Sequence, residues 1–185
     1  GIGAVNAEGL KDPYEAGEFA PSPVLVLNEA GVPGSSMGQF TSPRNLAIGS
    51  DGRIYIADSG NHRIQVYDAD GNFVTGWGTF GNALGQFNEP WGIAIDEAFV
   101  YVTDTWNNRI QKFTLEGELV LAFGASGSPA SATEGGGQFY GPRDVALGPN
   151  NTLMVTDTGN HRIQLFDRNG QFLSAIGGQG VRGGE

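Results

Sequence analysis

The chain has 185 residues, no cysteine and a formal net charge of -10, from 20 acidic against 10 basic residues. These values exclude a disulfide scaffold and a thiolate metal site, and they argue against nucleic acid as a partner, because phosphate backbones are held by clustered Lys and Arg. The 31 glycines fall mostly between short apolar runs, and no run approaches the ~18 apolar residues of a membrane helix. The expected class is therefore all-β, with no direct membrane insertion in this segment.

Residues 1–22 match nothing later in the chain and form an unassigned N-terminal segment. Pro23-Val-Leu-Val-Leu27, followed by Asn-Glu-Ala-Gly31, reads as a strand and turn, so residues 23–37 are taken as part of a unit. The first complete unit opens with Gly38-Gln-Phe40 and Pro43. Strands are expected over Asn45–Ile48, Arg53–Ala57, Arg63–Tyr67 and Asn72–Thr75, the last ended by Gly76-Trp77-Gly78. Between them, Asp51-Gly52, Asp58 to His62 and Asp70-Gly71 carry turn chemistry. Ile54 and Ile56 share one face, as do Ile64 and Val66, so the period is that of strands and not of helices.

The same order recurs twice. Gly-Gln-Phe begins at Gly38, Gly85 and Gly137, 47 and 52 residues apart. A longer phrase follows each copy: Asp58-Ser-Gly-Asn61-His-Arg63-Ile-Gln65, Asp104-Thr-Trp-Asn107-Asn-Arg109-Ile-Gln111 and Asp157-Thr-Gly-Asn160-His-Arg162-Ile-Gln164. The second unit predicts strands over Gly92–Ile95, Phe99–Thr103, Arg109–Phe113 and Glu118–Ala122. The third predicts them over Asp144–Leu147, Thr152–Thr156, Arg162–Phe166 and Gln171–Ser174. Four antiparallel strands repeated at this period are blades of a β-propeller, with the first strand of each blade innermost and the last at the outer edge. The expected division is blades at 38–84, 85–136 and 137–178, a partial blade at 23–37 and a tail or linker at 179–185. Three blades and part of a fourth leave open sheet faces. A homo-oligomer, two chains closing one ring of about six blades, is the expected way of covering them; the other readings are a piece of a longer protein and a fourth blade completed by residues 1–37.

The three units resemble NHL repeats, whose mark is an Asp, an Asn-His pair and an Arg-Ile-Gln strand in each blade; the likeness runs from Gly38 to about Gly178. Such arrays are often extracytoplasmic in bacteria, so the resemblance implies a non-catalytic binding or scaffold module at the cell surface or in a membrane-linked protein, with a cytoplasmic setting left open. It implies a protein or carbohydrate ligand and no cofactor. The alternative it carries is a propeller enzyme of the lyase or lactonase type with a divalent metal, calcium or zinc, in the channel. RNA binding, used by some animal members, lacks a basic face here.

The recurrent residues Asp58, Asn61, Arg63, Asp104, Asn107, Arg109, Asp157, Asn160 and Arg162 read as framework. Asp should accept turn N–H groups, Arg should pair with a carboxylate or carbonyl, and Asn should hold the turn in the left-handed conformation. His62 and His161 share one repeat position, with Asn108 between them in the series; as metal ligands they would need a carboxylate beside them. The residue after each inner-strand Pro breaks the repeat: Arg44, Trp91 and Arg143. Two guanidiniums and an indole at one mouth of the channel suit an anionic or sugar ligand, and these three are the candidate ligand-binding residues. Asp96 and Asp144 are the acids nearest the inner strands, and Ser126 to Gly136 is the longest loop between units. No nucleophile elbow, phosphate loop or metalloprotease motif occurs, Asp51-Gly52 and Asp70-Gly71 complete no calcium loop, and no catalytic residue or metal ligand is assigned.

Overall fold

The computed structural model describes residues 33–131 and 134–178. The segment read as 1–22, the tail 179–185 and the strand and turn within 23–37 lie outside the described residues. Three antiparallel sheets of four strands follow one another. The first contains β1 (Pro43–Ile48), β2 (Ile54–Asp58), β3 (Arg63–Tyr67) and β4 (Phe73–Trp77). The second contains β5 (Pro90–Ile95), β6 (Phe99–Asp104), β7 (Arg109–Thr114) and β8 (Leu119–Phe123). A short parallel pair, β9 (Ala125–Ser126) with β10 (Gln138–Phe139), precedes the third: β11 (Pro142–Gly148), β12 (Thr152–Asp157), β13 (Arg162–Asp167) and β14 (Phe172–Gly177). Among the described residues no helix is long and apolar enough to cross a membrane.

Each sheet is an up-and-down meander, and the three are blades of a propeller. The outer strands run further than the turn residues predicted. Gly76, read as a terminator, lies inside β4 opposite Gln65, because the ladder to β3 continues as far as Trp77 opposite Ile64. The central strands of the first two blades bury both faces, whereas those of the third alternate between buried and partly exposed residues. Tyr55, Ala57, Ile64 and Val66 of the first blade pack against Phe87, Ile93, Val100, Val102 and Phe113 of the second. The second blade repeats the arrangement with Ala94, Tyr101 and Ile110 against Phe139, Val145, Leu153, Val155 and Phe166 of the third. Alternation thus sorts residues between two neighbouring blades and not between core and solvent.

The inner strands β1, β5 and β11 gather beside one another. Asn45 on β1 donates to Asp144 Oδ1 on β11 at 3.1 Å, 99 residues away. Gly92 on β5 is required by that approach: a Cβ there would lie 2.5 Å from the Asp144 Cα. Each inner strand also carries a β-bulge just after its Pro, between Pro43 and Asn45, Pro90 and Ile93, and Pro142 and Asp144. A bulge adds one residue to one side of the ladder and re-aims its side chain.

Candidate functional site

The recurrent phrase builds a lock inside each blade. Asp104 is fully buried; it accepts the Asn88 N–H at 2.8 Å, Asn107 Nδ2 at 2.9 Å, Arg109 Nε at 2.6 Å and Gln111 Nε2 at 3.1 Å. Arg109 then donates to the carbonyls of Asn82, Ala83 and Gln86, and Gln111 receives the Gly85 N–H while donating to the Gln86 carbonyl. Asp58 and Asp157 are served in the same way by Asn61, Arg63 and Gln65, and by Asn160, Arg162 and Gln164. The Gly-Gln-Phe phrase and the Asp-to-Gln phrase are therefore two halves of one device, with the carboxylate ordering three donors that grip the incoming loop. Burial pushes the Asp104 carboxyl above the usual range, and the Asn88 N–H, Asn107 and Arg109 pull against that rise. In the third blade the lock holds the end of the long loop, since Arg162 donates to the carbonyls of Glu134 and Gly135. The longest loop between units is therefore tied at its C-terminal end.

One expectation changes. The left-handed residue of each turn is not Asn61, Asn107 or Asn160 but the next one: His62 (φ 54°), Asn108 (φ 54°) and His161 (φ 55°). The Asn residues lie within a 3-10 turn, where their amides are needed for the Asp. The left-handed residue reaches the following blade instead. His62 Nδ1 accepts the Glu89 N–H at 3.0 Å, and Asn108 Oδ1 accepts the Gly141 N–H at 2.8 Å. That shared acceptor explains why His and Asn exchange here. Replacing His62 with Asn should change stability by no more than about 0.5 kcal/mol. Leu at the same place should cost about 2 kcal/mol, from a left-handed Leu and an unpaired, part-buried N–H. Urea unfolding of the two variants measures the difference.

The bulged residues meet. The Arg44 guanidinium carbon lies 4.2 Å from the Trp91 ring centre, and that of Arg143 lies 4.7 Å from it. The indole is held between two cations from the neighbouring blades, and its Nε1 donates to Glu89 Oε2 at 3.3 Å. Both arginines are exposed, and among the described residues neither guanidinium forms an ion pair or hydrogen bond. Trp106 packs edge-on to Trp91, with ring centres 6.4 Å apart. Beyond it a groove of about 160 Å³ is lined by Trp106, Tyr140, Gly141, Arg143, Thr158 and Gly159. The face thus offers exposed guanidiniums, an indole and a bordering aromatic shelf, chemistry that holds carboxylates and stacks on flat groups. Asp144, the acid beside it, is used by Asn45 and by the Val145 N–H.

A residue profile described as the NHL repeat matches positions 40–67, 87–113 and 139–166, the three spans that contain the locks. The chain carries three NHL repeats. This NHL-repeat chain is 40% identical over 95 residues to the RING finger protein nhl-1 of Caenorhabditis elegans, which covers 50% of the chain and 9% of the relative. It is 38% identical over 58 residues to the protein brain tumor of Drosophila melanogaster, covering 31% and 6%. Among solved structures it superposes on a streptogramin B lyase with a TM-score of 0.55 at 22% identity, over 69% of this chain and 38% of that one. The chain spans less than a tenth of the length of these two curated relatives and about two fifths of the lyase. At this identity the lyase likeness is one of fold.

A second polar cluster escaped sequence reasoning. Lys112 is buried where the sister blades place Val66 and Leu165. Its Nζ donates to the Arg168 carbonyl at 3.0 Å and sits 3.9 Å from the Phe99 ring centre. Asp96 Oδ2 beside it accepts from Tyr101 and Arg168. Burial pushes the Lys112 amine down and the Tyr101 hydroxyl up, in each case disfavouring the charged form. These groups line an open groove of about 570 Å³ between the second and third blades. The departure from the repeat at position 112 was the available signal; the strand's alternation hid it.

Proposed function

We propose that this NHL-repeat chain is a non-catalytic binding module whose ligand is a protein segment rich in carboxylates, seated on Arg44, Trp91 and Arg143. One observation carries the reading: two exposed guanidiniums without a carboxylate partner are held on one indole, in a chain of net charge -10. A protein with so many spare acids leaves an Arg pair unneutralised on one face, so a bound carboxylate would gain charge-assisted hydrogen bonds there. Trp91, Trp106 and Tyr140 supply the apolar area that makes such a contact adhesive. The lyase or lactonase alternative draws only on a likeness of fold, and fold does not carry function.

The test is titration of a hexaglutamate peptide, followed by tryptophan fluorescence and calorimetry at low salt. Saturable binding is expected. The Arg44→Ala/Arg143→Ala double variant should weaken it at least 10-fold, about 1.4 kcal/mol, and stay folded, since the two exposed stacks on Trp91 contribute only about 0.5–1 kcal/mol each. Equal binding by the variant, or none by the native chain, overturns the site. Polygalacturonate is run in parallel, and binding to it alone moves the ligand class to acidic carbohydrate.

A further inference from the structure

We infer that the groove beside Arg143 takes one aromatic side chain of the acidic protein segment, next to the carboxylates held by Arg44 and Arg143. The inference rests on the proposed carboxylate site and adds the anchor that would give it a sequence preference. It comes from two departures from the repeat that meet at one place.

In each blade one backbone hydrogen bond ties the turn after the second strand to the incoming loop. The Gly60 N–H donates to the Thr41 carbonyl at 2.8 Å, that of Trp106 to Asn88 at 3.2 Å and that of Gly159 to Tyr140 at 2.8 Å. The tie favours glycine as its donor. A Cβ on Gly60 would lie 2.6 Å from the Thr41 carbonyl oxygen, and one on Gly159 would lie 2.4 Å from that of Tyr140. The second blade accommodates Trp106 with a longer bond, and the indole is 47% exposed. The acceptor position carries Thr41 and Asn88 in the first two blades and Tyr140 in the third, where the ring is 56% exposed. The framework asks for neither aromatic ring, and burial uses neither fully.

The two rings border the same groove of about 160 Å³, with Gly141, Arg143, Thr158 and Gly159 as its other walls. Among the described residues Tyr140 makes no ring contact, and Trp106 makes one, edge-on to Trp91. Size and chemistry then choose the occupant. An apolar cavity of about 150 Å³ holds one benzene ring, so a Phe or Tyr side chain suits the space. Only Arg143 and Thr158 add polar side chains to the two aromatic walls, too few hydrogen-bonding groups to read a sugar ring. A flat ring gains from aromatic walls and from a guanidinium alike. Arg143 also belongs to the cation pair on Trp91, so the ring and a bound carboxylate lie on neighbouring residues of one segment. An aromatic side chain in a pocket beside charged contacts is the usual anchor of a protein interface.

The test titrates three blocked peptides, Glu-Glu-Phe-Glu-Glu and its Ala and Leu counterparts, into the 185-residue chain by calorimetry. Trp106→Gly and Tyr140→Thr are run beside it, each taking a residue that a sister blade carries. The Phe peptide is expected to bind about 10-fold tighter than the Ala peptide, and each variant should lower that ratio to about 2. Equal affinity for the Phe and Ala peptides overturns the anchor and leaves the carboxylate site standing. A Leu peptide as tight as the Phe peptide overturns the aromatic assignment. A ratio unchanged in both variants overturns the placement, by seating the ring elsewhere. Binding of none of the three overturns the anchor together with the carboxylate reading beneath it. Two variants on different loops keep the test decisive if one of them fails to fold.

Discussion

Asp104→Ala is expected to remove about 3–5 kcal/mol of stability, the largest loss of any single change outside the apolar core. The carboxylate is fully buried and organises four donors: the Asn88 N–H, Asn107 Nδ2, Arg109 Nε and Gln111 Nε2. Alanine leaves all four without their acceptor and leaves the Arg109 guanidinium uncompensated; its side chain is only 13% exposed. The damage extends past the pair, because Arg109 and Gln111 hold the loop that delivers Phe87 to the first blade. Asp104→Asn should recover part of the loss: one amide oxygen can still accept, while the new NH₂ group faces donors. Urea denaturation of the three chains gives the numbers. A loss below about 1 kcal/mol for the alanine variant would show that the lock does not hold the blade.

Phe87→Ala should cost about 3–5 kcal/mol as well, by leaving a cavity between two rigid sheets. The ring contacts Phe113 of its own blade and lies over Gly78 of the first. Flanking β4 and β7 are held by antiparallel ladders, so the gap closes poorly. Phe40→Ala is the internal comparison. It removes the same ring from the same repeat position, but there the ring is only partly buried, against Ile54, Ile56 and Tyr67, so the expected cost is roughly 1–2 kcal/mol. Equal costs at 40 and 87 would mean that the blade interface contributes little to cohesion.

Much of the architecture was legible because the repeat printed it three times. Two-residue alternation, Asp-Gly turns and a recurring Pro specify four-stranded blades without reference to anything distant. The grouping of Arg44, Trp91 and Arg143 was reachable by a similar route, since three departures at one repeat position must come together wherever the blades do. Their stacking was not, because it depends on bulges after Pro43, Pro90 and Pro142 that alter how each side chain leaves its strand. The left-handed turn residue was misplaced by one for a related reason. Both Asn61 and His62 can occupy such a turn, and only the demand of Asp58 for the Asn61 amide, with that of Glu89 for the His62 acceptor, decides between them.

The sequence by itself determined the β class, the blade, the repeat and the framework role of the Asp–Arg pairs, all of which follow from local patterns within about 50 residues. Only the tertiary structure decided which halves of that framework lock together, how Asp104 comes to be buried with its donors, and why Lys112 lies in a groove. The lock depends on a loop and strands brought together within a blade, and the groove on contacts between blades, where residues 27 to 99 positions apart meet because the sheets stack. Alternation says which side chains share a face, but not what the face will press against.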